Sequence, residues 1–134
     1  MPKADRISAG AVTLLQEPQL AQLATIMQDG SPQVTPVWVD VEPDGSHILV
    51  KTAEGRVKSR NLERDSRVAV SVHDQDNIYR MVAVRGRVVE MTHDGADEHI
   101  DKMGKKYTGN DRYGQYEPKR VVVRIAPEQI GRMG

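Results

Sequence analysis

The stretch from Lys51 to Arg67 concentrates more potential chemistry than any other part of the chain. Arg56, Lys58, Arg60, Arg64 and Arg67 place five basic residues within twelve positions, against only Glu63 and Asp65. Gly55 predicts a turn at the end of a strand, and the sequence VKSRNLERD after it is compatible with a helix. The cations therefore gather where a helix begins. A helix N-terminus has free N–H groups and a dipole that favours anions. Arginine adds a planar fork and lysine a point charge, a common pair for phosphate. Spacing alone leaves two readings open: a phosphate-binding corner, or a solvated helix face partly paired to Glu63 and Asp65.

Trp38 is the single tryptophan. It shares a strand face with Val34 and Pro36, where an aromatic and a proline could form a flat wall for a planar ring. A core tryptophan is the equal alternative. Pro36 within a strand removes a ladder donor and predicts an edge, a bulge or an open site. Tyr107, Tyr113 and Tyr116 fall in a late polar stretch, where they could line a site or pack over a barrel mouth. Other chemistries find little support. His47, His73, His93 and His99 show no metal-ligand spacing. No G-x-S-x-G nucleophile elbow and no glycine-rich phosphate loop occurs. Arg85-Gly86-Arg87 reads as a basic pair on a solvent face.

These residues need a scaffold, and the pattern predicts a mainly β one. Ser8 and the following AGAVTLLQE predict a short helix ending before Pro18. Strands are expected at Leu20–Met27, Ser31–Val41, Ile48–Thr52, Arg67–His73, about Ile78–Met91, and Lys119–Ile125. Asp29-Gly30 is a hairpin signal, and Pro43-Asp44-Gly45 a second turn. Gly86 inside the fifth strand predicts a bulge or bend. Thr92–Met103 predicts a helix capped by Thr92, followed by a loop over Gly104–Pro118; Pro127 predicts a final turn. Six strands joined by tight turns, with two or three short helices, imply an antiparallel sheet closed into a barrel to remove its edges.

The 134 residues predict one domain, 1–134. With no cysteine, disulfides and thiolate catalysis are excluded. Lys+Arg and Asp+Glu both number 19, so the chain lacks the basic excess that nucleic-acid binding requires. No signal-peptide core and no membrane-length apolar run is present, so a cytoplasmic protein with no membrane partner is expected.

The succession LATIMQDGSPQVTPVWVDVE, ILVKTAEGRVKSRNLERDSRVAVSV, NIYRMVAVRGRVVE and RVVVRIAPEQI resembles the pyridoxamine 5′-phosphate oxidase-like split-barrel proteins. Within them it is most similar to the deazaflavin (coenzyme F420)-dependent oxidoreductase branch of actinobacteria. The resemblance covers about positions 8–130, and its most specific part is Arg56-x-Lys58-x-Arg60-Asn61-Leu62 with Arg64-Asp65-x-Arg67. It implies a six-stranded split barrel, an FMN-binding type of fold, and a homodimer with two cofactor sites at the interface. Arg56 and Lys58 would hold the cofactor phosphate, with Ser59, Arg60 and Asn61 close by. Pro36, Val37 and Trp38, with Val50, Lys51 and Thr52, would flank the ring. Tyr79 and Arg80 would reach in from the second subunit. The implied activity is hydride transfer from reduced F420 to a small conjugated acceptor, such as an enone, lactone or tetrapyrrole. FMN binding and a non-catalytic cofactor carrier are the alternatives. Two departures concern the substrate pocket. The basic C-terminal motif of true pyridoxamine-phosphate oxidases is missing, and Met133 stands where deazaflavin relatives often carry tryptophan.

Overall fold

The computed structural model describes residues 3–110 and 119–133. Its helices are α1 (Ala9–Gln16), α2 (Val57–Arg64) and α3 (Ala96–Thr108). Its strands are β1 (Ala21–Ile26), β2 (Pro32–Val37), β3 (Val39–Val41), β4 (Ile48–Ala53), β5 (Arg67–His73), β6 (Met81–Thr92) and β7 (Arg120–Met133). All the strand pairs are antiparallel, and the sheet runs β2-β1-β5-β6-β7-β4-β3. Its two outermost strands, β2 and β3, are separated in the chain by Trp38 alone. The sheet must therefore curl until its edges converge on that residue. This is the split barrel, with seven strands where the sequence predicts six: the expected Ser31–Val41 strand is broken in two at Trp38.

Alternation sets the inside of the barrel. Val68, Val70 and Val72 of β5 are buried between exposed or half-buried neighbours. They meet Val82 and Val84 of β6, Val123 and Ile125 of β7, and Leu14 and Leu15 of α1. Each such side chain contributes roughly 1.5–3 kcal/mol by leaving water. β4 is buried on both faces. Ile48 and Val50 belong to the barrel core, whereas Leu49 packs outward with Val122 and Ala96 of α3. The outward face of β4 thus lies under α3, and the end of β4 feeds α2.

The Asp29-Gly30 hairpin forms as expected, with Gly30 at φ 88°. Gly86 forms the expected bulge, where β6 shifts register against β7. A Cβ there would collide with the Ala126 carbonyl oxygen, so the close approach of β7 requires glycine. Three expectations are corrected. β7 does not stop at a turn at Pro127 but continues to Met133; Pro127 pairs with Gly86 at the bulge, where a missing N–H does not break a regular ladder. α3 does not end at Met103 but runs to Thr108, because Gly104 is buried against the body of the protein and serves packing rather than a break. Its N-cap is Gly95, not Thr92, whose hydroxyl instead accepts the Asp94 N–H at 3.0 Å. Tyr107 consequently lies on α3; Tyr113 and Tyr116 lie outside the described residues.

Candidate anion- and ring-binding cavity

A cavity of about 340 Å³ opens at the seam where β2, β4 and β7 meet α2 and α3. Pro36, Val37 and Trp38 form its β2 side, Lys51, Thr52 and Ala53 the end of β4. Arg56 and Lys58 come from the start of α2, Arg120 from the first residue of β7, Ile100 from α3, and Leu20 from the approach to β1. Its lining combines apolar and aromatic side chains with four cationic ones, Lys51, Arg56, Lys58 and Arg120.

The helix start is open. The N-cap of α2 is Arg56, no side chain caps the helix, and no acidic residue stands in its first turn. Its leading N–H groups and its dipole therefore remain available to an anion. Arg56 and Lys58 make no side-chain hydrogen bond or ion pair among the described residues. Burial, and then the charges of Arg56 and Arg120, pushes the Lys58 amine below its ordinary value. Burial, with Arg120 adding to it, brings Lys51 down to about 7 despite the opposing pull of Asp101 and Asp97. Its Nζ donates to the Ala96 carbonyl at 3.2 Å. Thr52 Oγ1 and Ser59 Oγ are buried without a partner among the described residues; Thr52 lines the cavity, and Ser59, fully buried, lies behind its lining. A set of mutually repelling cations, an uncapped helix and orphaned hydroxyls together suit a phosphate.

The remaining residues of the expected site fall elsewhere. Val50 is core, paired with Val39 and Val123. Arg60 is exposed beyond the cavity lining. Asn61 is buried as a lock: its Nδ2 donates to Thr25 Oγ1 at 3.0 Å, and its Oδ1 accepts from Arg64 at 2.8 Å. Arg64 also reaches the Ile26 carbonyl, and Arg67 is paired with Asp65, which removes both from the pool of free cations. Tyr79 is exposed at the β5–β6 turn, and Arg80 is held in its own chain by Glu17 and Asp74. Leu20, Ala53, Ile100 and Arg120 line the cavity without a sequence signal. Arg120 alone could have drawn notice, as a cation opening an apolar strand.

A second polar cluster sits beyond Trp38. Asp40 is buried; its carboxylate accepts from His99 Nε2 at 3.0 Å and Lys102 at 3.1 Å. Burial pushes this carboxyl up, but the hydrogen bonds from His99, the Val41 N–H and Lys102 outweigh it and hold the group below the ordinary carboxylate range. No group of three or more potential metal-ligating side chains occurs among the described residues. Nor is any described helix long and apolar enough to cross a membrane.

A family model described as pyridoxamine 5′-phosphate oxidase matches residues 7–134. An F420H(2)-dependent biliverdin reductase from Mycobacterium tuberculosis is 27% identical over 128 residues, spanning 93% of this chain and 87% of that protein. A solved F420 reductase superposes with a TM-score of 0.80 at 30% identity, over 93% of this chain and 98% of its own. A conserved hypothetical protein of M. tuberculosis superposes with a TM-score of 0.70 at 28% identity, over 97% and 87%.

Proposed function

The chain belongs to the pyridoxamine 5′-phosphate oxidase family, and from that premise we propose that it is a reductase of the F420-dependent branch. In this reading it passes a hydride from the reduced deazaflavin to a small conjugated planar acceptor, such as an enone, lactone or tetrapyrrole. The observation that carries the reading is the cavity, which brings four cationic side chains together with Pro36 and Trp38 at the open start of α2. The similarity to proteins named F420 reductase and F420H(2)-dependent biliverdin reductase supports the deazaflavin over FMN.

When bound, the reduced deazaflavin supplies a two-electron hydride equivalent. The protein's own residues bind, orient and exclude water. Arg56, Lys58 and the first turn of α2 would hold the phosphate, with Arg120 adding charge. Pro36, Val37 and Trp38 would face the ring and Leu20 and Ile100 would keep water from it. Lys51, brought down to about 7 by burial, can hold or release a proton at Nζ near neutral pH. It is the group in this wall suited to follow hydride addition with a proton.

The active form in this proposal is a homodimer. Ile78, Tyr79 and Met81 are exposed in one short stretch of the β5–β6 connection, an apolar surface that a second copy would cover. Of the pair expected to cross the interface, Tyr79 has a free side chain. Arg80 supports the turn from below through its bidentate contact with Glu17.

Titration of the purified protein with the deazaflavin and with FMN tests the assignment, followed by anaerobic turnover of the reduced deazaflavin with a panel of conjugated acceptors. The expected result is preference for the deazaflavin and hydride transfer to at least one acceptor. Tight FMN binding with no deazaflavin affinity would replace the reading with the FMN alternative. Binding without any turnover would favour a cofactor carrier.

A further inference from the structure

Trp38 lines the cavity, yet its position is set from behind by α3. Its indole lies flat on Tyr107, with ring centroids 5.0 Å apart and 4° between the planes. Tyr107 is not itself part of the cavity wall. It is fixed through its hydroxyl, which accepts the Val39 N–H at 3.1 Å and donates to the Gln19 carbonyl at 2.7 Å. Lys106 acts beside it, donating to the Leu15 carbonyl at 2.7 Å and the Val39 carbonyl at 2.6 Å. Its ammonium also stands 5.0 Å from the Tyr107 ring centroid. The last turn of α3 thus grips both backbone groups of Val39, the residue directly after Trp38, and ties them to α1 and to the approach to β1.

We infer that Lys106 and Tyr107 are positioning residues that fix the plane of Trp38 and so set the width of the slot a planar ring must enter. One face of the indole is covered by Tyr107, and the residue also lines the cavity. The backbone at Trp38 is the weak point of the sheet, because β2 ends before it and β3 begins after it. Loosening the hold from α3 gives the indole more freedom to turn into the slot or away from it. This inference rests on the proposed planar ligand, but the state of Trp38 can be read without one.

Trp38 is the only tryptophan, so its emission reports the brace directly. In cofactor-free protein, Tyr107→Leu should shift the emission to longer wavelength and increase quenching by acrylamide. Tyr107→Phe, which keeps the ring but loses the hydroxyl's hydrogen bonds, should fall between Tyr107→Leu and the parent. Val70→Ala, a core change in β5, should lower Tm with the emission unmoved. In the same Tyr107→Leu protein, affinity for the preferred ring cofactor should drop about tenfold, the scale of loss expected for a small misplacement of a binding group. Emission and quenching unchanged in Tyr107→Leu, or changed equally by Val70→Ala, would overturn the brace. So would altered emission with cofactor affinity intact. Failure of the parent protein to take the deazaflavin would remove the cofactor assignment alone, since the emission comparison decides the brace by itself.

Discussion

Two polar clusters lie on either side of Trp38, and they differ in whether their charges are answered from within. Around Asp40 the charges are answered: His99 and Lys102 meet one carboxylate and Lys106 meets two carbonyls, and the one loose end is His99 Nδ1, buried without a partner among the described residues. At the start of α2 they are left open. Arg56 and Lys58 have no acceptor among the described residues, Lys51 reaches only a carbonyl, and Thr52 and Ser59 hold buried hydroxyls without partners. Similar residue types do opposite things. A closed cluster strengthens the fold, because removing one member strands the others in a poorly solvated place. An open cluster of like charge weakens the free protein, and only an incoming anion offsets that repulsion. The difference separates a structural network from a binding site without reference to any relative.

The sharpest way to break the comparison is the double variant Arg56→Ala/Lys58→Ala. Two charge-assisted hydrogen bonds at roughly 1.5–3 kcal/mol each imply a loss of cofactor affinity of about 1,000-fold. Thermal unfolding of the free protein should be unchanged or shifted upward, because like charges have been removed. Lost stability with retained affinity in a titration would reverse the assignment of the two clusters.

The complementary change is Asp40→Asn. It should cost ~3 kcal/mol in urea unfolding, the scale for breaking a buried ion pair, and leave cofactor affinity within about twofold. The sign of the acid response follows from the depressed carboxyl of Asp40. Its contribution is full above the ordinary carboxylate range and is lost as the pH falls below it. The parent protein should therefore lose stability on acidification more steeply than Asp40→Asn.

The smallest effect concerns Lys51, whose amine titrates at about 7 in the free protein. A bound anion stabilises the charged form, so binding takes up a proton above that pH. Affinity should be full below pH 7 and decline about tenfold as the pH rises through the next one to two units. Lys51→Arg, which stays charged, should flatten that decline. Dissociation constants measured from pH 6 to 9 for both proteins provide the check.

Local chemistry made much of this legible in the sequence. Alternating valines marked β5 and Asp29-Gly30 the β1–β2 hairpin, because each depends on neighbouring residues only, and a glycine inside a strand pattern marked the bulge at Gly86. Pro36 predicted an edge, a bulge or an open site, and β2 is an edge strand. The break at Trp38 was hidden because the alternation of Val37, Val39 and Val41 passes through it undisturbed. The continuation of α3 through Gly104 and of β7 through Pro127 depends on packing partners far along the chain. The same boundary runs through the site. Arg56 and Lys58 stood out as a charge cluster at a turn, whereas Arg120 and Ile100 reach the cavity only through pairing of β7 with β4 and the seating of α3 on that sheet. Asn61 shows the converse, a polar residue within the motif whose hydrogen bonds serve to fasten α2 to β1.

The strand order also dictates a sequence of assembly. Among the described strands β7 alone joins β4 to β6, so the β3–β4 hairpin has no place in the sheet until β7 arrives. Such late, long-range pairing makes folding slow relative to proteins of local contacts. The cavity draws on both β2 and β4, and during synthesis neither half can recognise a ligand alone. A nascent chain short of β7 lacks Arg120 and the strand that seats β4, and with them the binding site.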